Sequence, residues 1–110
     1  MISLTKIKSG DLVKIEYSIF CGILVDDVNP WDEFDELNNT GGILSAGYLT
    51  WKNREKFCKV KKDKILLILD ASFHPSATKP FRCNFYLDRV YQYRTHANCF
   101  PGKIIASLNE

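Results

Sequence analysis

The sequence predicts a mainly β protein, a small barrel or sandwich, and three observations carry that expectation. Residues 11–20, "DLVKIEYSIF", place Val13, Ile15, Tyr17 and Ile19 on one side and Lys14, Glu16 and Ser18 on the other. That period of two marks a half-buried strand. Residues 81–94, "FRCNFYLDRVYQYR", alternate in the same way. Between these blocks lie short apolar runs separated by polar, turn-forming residues, the spacing of an all-β fold.

Taken in order, Ser9-Gly10-Asp11 supplies turn chemistry ahead of the first strand. Cys21-Gly22 interrupts the alternation and predicts a bulge or bend, after which "ILV", 23–25, forms a second strand. "GGILSAGYLTW" predicts a third strand over roughly 43–51, and "KNRE", 52–55, a hairpin loop. "KFCKV" follows as a fourth strand, "KKDK", 61–64, as a short break, and "ILLIL", 65–69, as a buried fifth. "ASFHPSATKP", with two prolines and small polar residues, reads as a connection. In 81–94, Phe81, Cys83, Phe85, Leu87, Tyr91 and Tyr93 share one face, and the pattern slips near Arg89 and Val90, predicting a bulge or turn there. "NCFPG" is a turn, and "KIIASL" a closing strand.

One segment departs from this scheme. Residues 25–42, "VDDVNPWDEFDELNNTGG", hold six acidic side chains and no basic one, with Trp31 and Phe34 among them. Asn29 is suited to cap a helix and Pro30 to its first position. Asp32 and Glu33 then fall where the helix dipole favours negative charge. Trp31, Phe34 and Leu37 form one stripe of a two-turn helix that cannot stand alone. The stripe must dock on its own sheet or on a partner.

"SGDLVKIEYS", "CGILVDDV", "GYLTW" and "KVKKDKILLIL" together resemble the small SH3-like barrel proteins of tailed bacteriophages, and more distantly Tudor and KOW-type domains. Gly10, Asp11, Gly22, Val25, Trp51 and residues 61–69 carry the resemblance, which covers about residues 9–70. It implies an SH3-like barrel; the long acidic loop between the second and third strands, with its one short expected helix, departs from the pattern. Residues 71–110 lie beyond the pattern and are expected to be a β extension packing on the barrel. The resemblance also implies a phage-encoded protein in the host cytoplasm or the virion. SH3-like barrels serve many kinds of binding, so the fold alone does not specify function.

Length and composition narrow the function further. A chain of 110 residues makes one domain, with no room for a second core. No N-terminal stretch has the make-up of a signal peptide, and no apolar run is long enough to cross a bilayer as a helix. The four cysteines, Cys21, Cys58, Cys83 and Cys99, lack any zinc-site spacing and are expected to be reduced thiols. His96 precedes Cys99 by three residues, but no third orienting group is indicated, so a Cys–His nucleophile is not expected. The acidic stretch lacks the ligand series and central glycine of a calcium loop. No catalytic residue, metal or cofactor is expected.

Binding is the expected activity. Trp31, Asp32, Glu33, Phe34, Asp35 and Glu36 are the candidate protein-binding residues, an aromatic stripe with an acidic rim. The alternative is a nucleic-acid module using the basic hairpin, with Trp51, Lys52, Arg54, Lys56, Lys59, Lys61 and Lys62 contacting phosphates and bases. A third reading is a structural accessory subunit of a phage particle, since opposite charges at two ends favour self-association. No membrane partner is expected.

Overall fold

The computed structural model describes residues 1–25, 29–31, 56–75, 77 and 79–108. They form one antiparallel sheet of seven strands: β1 (Asp11–Ile15), β2 (Ile19–Ile23), β3 (Phe57–Val60), β4 (Ile65–Phe73), β5 (Phe81–Tyr86), β6 (Val90–Thr95) and β7 (Gly102–Ser107). Their order in the sheet is β3-β2-β6-β5-β4-β1-β7. The expected strand over 43–51, the expected loop over 52–55 and the expected acidic helix beyond Trp31 lie outside the described residues.

β1 and β2 are two halves of one bent arm, and β3 and β4 are two halves of another. The arms pair in a single register on both sides of the bend. Lys14 faces Ile65 in β1·β4 and Ile19 faces Val60 in β2·β3, so no residue is gained or lost around the corner. The corner is held by backbone bonds: Ile15 N donates to Lys64 O at 3.1 Å, and Asp63 N donates to Ile15 O at 3.0 Å. Lys62 N donates to the Ser18 hydroxyl at 3.3 Å. Asp63 takes the left-handed backbone conformation, φ 72°, that Asp tolerates better than most residues.

The bend decides how the sheet curves. Before it, the first arm pairs with β4; after it, the same arm pairs with β6, Gly22 opposite Gln92 and Ile23 opposite Tyr91. β4, β5 and β6 link these two places as a meander. The sheet is therefore rolled, and inward side chains of β1 and β2, four places apart in the strand order, join one core cluster with those of β4, β5 and β6. Val13, Ile15, Cys21, Leu66, Ile68 and Phe85 are at its centre, all essentially inaccessible to water. Phe100 packs edge-on to Phe85 and Tyr93, with ring centroids 6.5 and 5.4 Å away. The N-terminal segment closes that end: Ile2 and Phe100 exchange both backbone hydrogen bonds, at 3.0 and 2.7 Å.

Several expectations are corrected here. The interruption in the first arm falls at 16–18, not at Cys21-Gly22, because the corner needs the break where the chain changes partner. The fifth strand does not stop at Leu69 but runs to Phe73, past a bulge at Leu69 where the register with β5 shifts. The segment after Asp70 is not an extension laid on a finished barrel. β5 and β6 stand inside the sheet, between β4 and β2, and without them the two ends of the bent arm would not be joined. Residues 87–89 form the expected turn between β5 and β6.

Buried thiols and one tyrosine pair belong to this core. Burial pushes the Cys83 thiol up to about 12 and raises Cys21 well above its ordinary value, so both stay protonated at neutral pH. The Tyr91 hydroxyl donates to Asp88 Oδ1 at 2.7 Å across the β5–β6 turn. That bond is the first cause holding the Asp88 carboxyl below its usual range. A carboxylate lowered by folding stabilises the native state above its unfolded value, and the contribution disappears as the pH falls through the folded value.

Two measurements follow from the packing. Tyr91→Phe is expected to return the Asp88 titration toward the ordinary carboxylate value, about 3.9, and to flatten that part of the acid limb of stability; a carboxyl-resolved NMR titration reads both. At Gly102 an added Cβ would lie 2.5 Å from Val13 Cγ1 and 3.1 Å from the Lys14 carbonyl oxygen. Gly102→Ala is accordingly expected to lower stability in urea by about 1–3 kcal/mol through overpacking.

Candidate functional site

Alternation fixes which side chains leave the core, and the outer face of the sheet divides into two unlike halves. On β2, β3 and β6 the outward residues are Phe20 and Gly22, Phe57 and Lys59, and Gln92 and Arg94. This half is covered. Pro30 and Trp31 lie on it, and an added Cβ at Gly22 would come within 2.8 Å of Pro30 Cγ and 2.9 Å of the Trp31 ring. The glycine that the alternation marked as a bulge is instead the seat of the indole.

Trp31 is 1% exposed and forms a second apolar cluster with Phe57 and Phe20. The two phenylalanine rings stack on each other at 5.1 Å, and both meet the indole edge-on, at 5.9 Å from Phe20 and 5.3 Å from Phe57. The indole N–H donates to the Gln92 carbonyl oxygen at 2.9 Å. Asn29 Oδ1 accepts from Trp31 N at 3.0 Å, the capping bond its position in the sequence predicts. Lys79 Nζ and the Arg94 guanidinium lie 5.1 and 5.9 Å from the ring centroid, within cation–π range.

Gln92 ties this cover to the sheet. Its side-chain oxygen accepts from Asn29 Nδ2 at 2.8 Å and from Arg94 Nε at 2.6 Å, while its amide nitrogen donates to Asn84 Oδ1 at 2.8 Å. Asn84 Nδ2 in turn donates to Asp70 Oδ2 at 3.3 Å. Gln92 and Arg94 are thereby buried, although the sequence places them on the polar face. Both are hydrogen-bonded, which is what makes buried polar side chains tolerable. Beside the indole lies a cleft of about 260 Å³ whose walls include Tyr17, Lys79, Arg94 and His96.

The other half, on β7, β1, β4 and β5, carries no docked aromatic segment among the described residues. Directly opposed residues share a face, and the register aligns one apolar row across five strands: Ala106, Leu12, Leu67, Tyr86 and Val90. Tyr86 is 46% exposed, and Leu12, Leu67 and Val90 are half-buried. Ile65, 49% exposed, stands in the next outward row beside Lys14 and Lys103. Among the described residues of this row no side chain is acidic.

The sequence-predicted residues are distributed unevenly over this surface. Trp31 docks on its own sheet, so its ring is core and not an interface anchor. Asp32, Glu33, Phe34, Asp35 and Glu36 lie outside the described residues, as do Trp51, Lys52 and Arg54. Lys56, Lys59, Lys61 and Lys62 are all exposed, Lys61 and Lys62 at the β3–β4 corner and Lys56 at the other end of β3, where its carbonyl accepts from Ile23 N. Cys99 turns its thiol to Met1 Sδ at 3.7 Å, and among the described residues no group of three His, Cys, Asp or Glu is placed to hold a metal.

The apolar row was missed by reasoning from sequence, yet its signal is present. "ILLIL" does not alternate, and such a run is the mark of a strand covered on both faces. The structure buries Leu66 and Ile68 inside and leaves Ile65 and Leu69 exposed and Leu67 half-buried on the outer side. No family model, curated protein or solved structure matches the chain.

The covered half makes a paired prediction. Trp31→Ala removes a buried indole and is expected to cost about 3–5 kcal/mol. Gly22→Ala leaves every contact partner present but forces the ring off its seat, with an expected loss of about 1–3 kcal/mol. Urea unfolding measures both, and the tryptophan emission of Gly22→Ala is expected to shift to the red as the indole gains water.

Proposed function

We propose that this protein is a non-catalytic binding protein whose partner is another protein, received on the outer face of β1, β4 and β5. The observation that carries the reading is the apolar row through Leu12, Leu67 and Tyr86, half-buried at the leucines and exposed at Tyr86, on the part of the outer face that receives no docked aromatic among the described residues. Contiguous exposed apolar surface rimmed by polar residues is the usual mark of an interaction site. Tyr86 supplies the aromatic anchor that interface energetics favour. Lys14 and Lys103 at its border match a partner whose own apolar patch is edged by carboxylates.

We read the rolled sheet as an SH3-like barrel enlarged by β5 and β6. The single register around the 16–18 corner supports this, as does the short turn at 61–64. With the resemblance to phage barrel proteins, it makes a host factor or a virion component the partner class, met in the host cytoplasm or the particle. A second reading, a nucleic-acid module, is favoured by the exposed lysines 56, 59, 61 and 62. The Tyr17, Lys79 and Arg94 cleft, aromatic and cationic together, adds to that reading.

Capture from host lysate, with and without nuclease, separates these readings when wild type is compared with Leu67→Glu/Tyr86→Glu. Both side chains point outward, so the double variant is expected to keep its circular dichroism and lose a nuclease-resistant partner. Capture that persists in the folded double variant refutes the outer-face reading. Capture abolished by nuclease, and weakened by Lys59→Glu/Lys61→Glu with a shallower salt dependence, moves the function to nucleic acid.

A further inference from the structure

We propose that the partner delivers an extended, acidic segment that adds to β7 as the next strand of the sheet; the inference rests on the protein-binding reading and deepens it. Among the described residues β7 pairs with β1 alone and is the last strand in the order. Residues 103–106 are all exposed, and β7 contains no proline, so its outer edge offers backbone N–H and C=O groups to an incoming strand. A groove of about 530 Å³ runs beside it, lined by Lys6, Lys8, Asp11 and residues 104–107.

Charge selects the occupant. Lys6 and Lys8 border the groove, and Lys103 stands on the strand itself. Among the described residues the one carboxylate lining it, Asp11, is buried and accepts from Lys8 N at 2.9 Å, so it is engaged within the turn at 8–11. A second copy of β7 would bring these lysines against their own equivalents. Lys103 and the extra residue Ile105, where the β1·β7 register shifts, are devices that discourage an edge from pairing with itself. A strand carrying carboxylates removes that repulsion. The row through Leu12 and Leu67 ends on β7 at Ala106, so an apolar residue opposite Ala106 would continue it. Alternating apolar and acidic residues in an extended segment satisfy both demands.

The test uses a synthetic peptide of alternating valine and glutamate matching the six residues of β7. A second peptide has the same sequence with alternate amides N-methylated, and a third has lysine for glutamate. The full-length protein is followed by amide NMR and hydrogen exchange. The glutamate peptide is expected to shift and protect the amides of β7. N-methylation, or Lys6→Glu/Lys8→Glu in the protein, is expected to weaken it at least about tenfold, the loss of one or two charge-assisted or backbone hydrogen bonds. The lysine peptide is expected not to bind. Equal binding of the N-methylated peptide overturns the proposal, as does absence of binding or protection that maps away from β7. So does protection of β7 that rises with protein concentration alone, which assigns the edge to a second copy. Partner capture through Leu67 and Tyr86 can survive each of these failures, and loss of that capture leaves the β7 result standing, so the two readings fail separately.

Discussion

The corner at residues 16–18 is the constraint on which the remaining architecture depends. A strand of this length kept straight would pair with one neighbour along each edge and leave a flat sheet. Broken at Glu16–Ser18 and held by the Ile15–Lys64 and Asp63–Ile15 backbone bonds, it keeps one register with the second arm along one edge and changes partner from β7 to β6 along the other. Rolling is the consequence. Once rolled, the inward residues of strands distant in the sheet meet in one core, and a chain of this size buries enough apolar surface to fold.

Rolling also sets the fate of the outer face. The part nearest the long connection between β2 and β3 receives Trp31 from that connection. The fit is specific, because a Cβ at position 22 would meet the ring and the Gln92 carbonyl accepts its N–H. Covering this half draws Gln92, Arg94 and Asn84 out of water, and their mutual hydrogen bonds offset the desolvation. The half carried by β7, β1, β4 and β5 receives no such segment among the described residues. Its apolar row is left to solvent or to a partner, and the edge at β7 adjoins it.

Cys21 and Cys83, held protonated by burial, act as small apolar groups in the core. Polar side chains that the fold gathers, around Gln92, are used up in supporting Trp31.

The sequence by itself determined the class of fold and most strand positions, because alternation is a local property. β1, β3, β5, β6 and β7 can be found from residue types alone, and so can the Asn29 cap. It also showed that Trp31 needed a docking place. It did not show where, since that depends on Gly22 and Gln92, separated from Trp31 by nine and sixty-one residues of chain. Nor could it show that β5 and β6 belong inside the sheet, or that Leu12, Leu67 and Tyr86 align. Pairing partners and register are set by the total burial of the rolled sheet, a sum over distant contacts that no window of the sequence contains. The identity of that outer face was therefore decided by tertiary structure: the same outward leucines would be core if a segment crossed them, and are a surface because none of the described residues does.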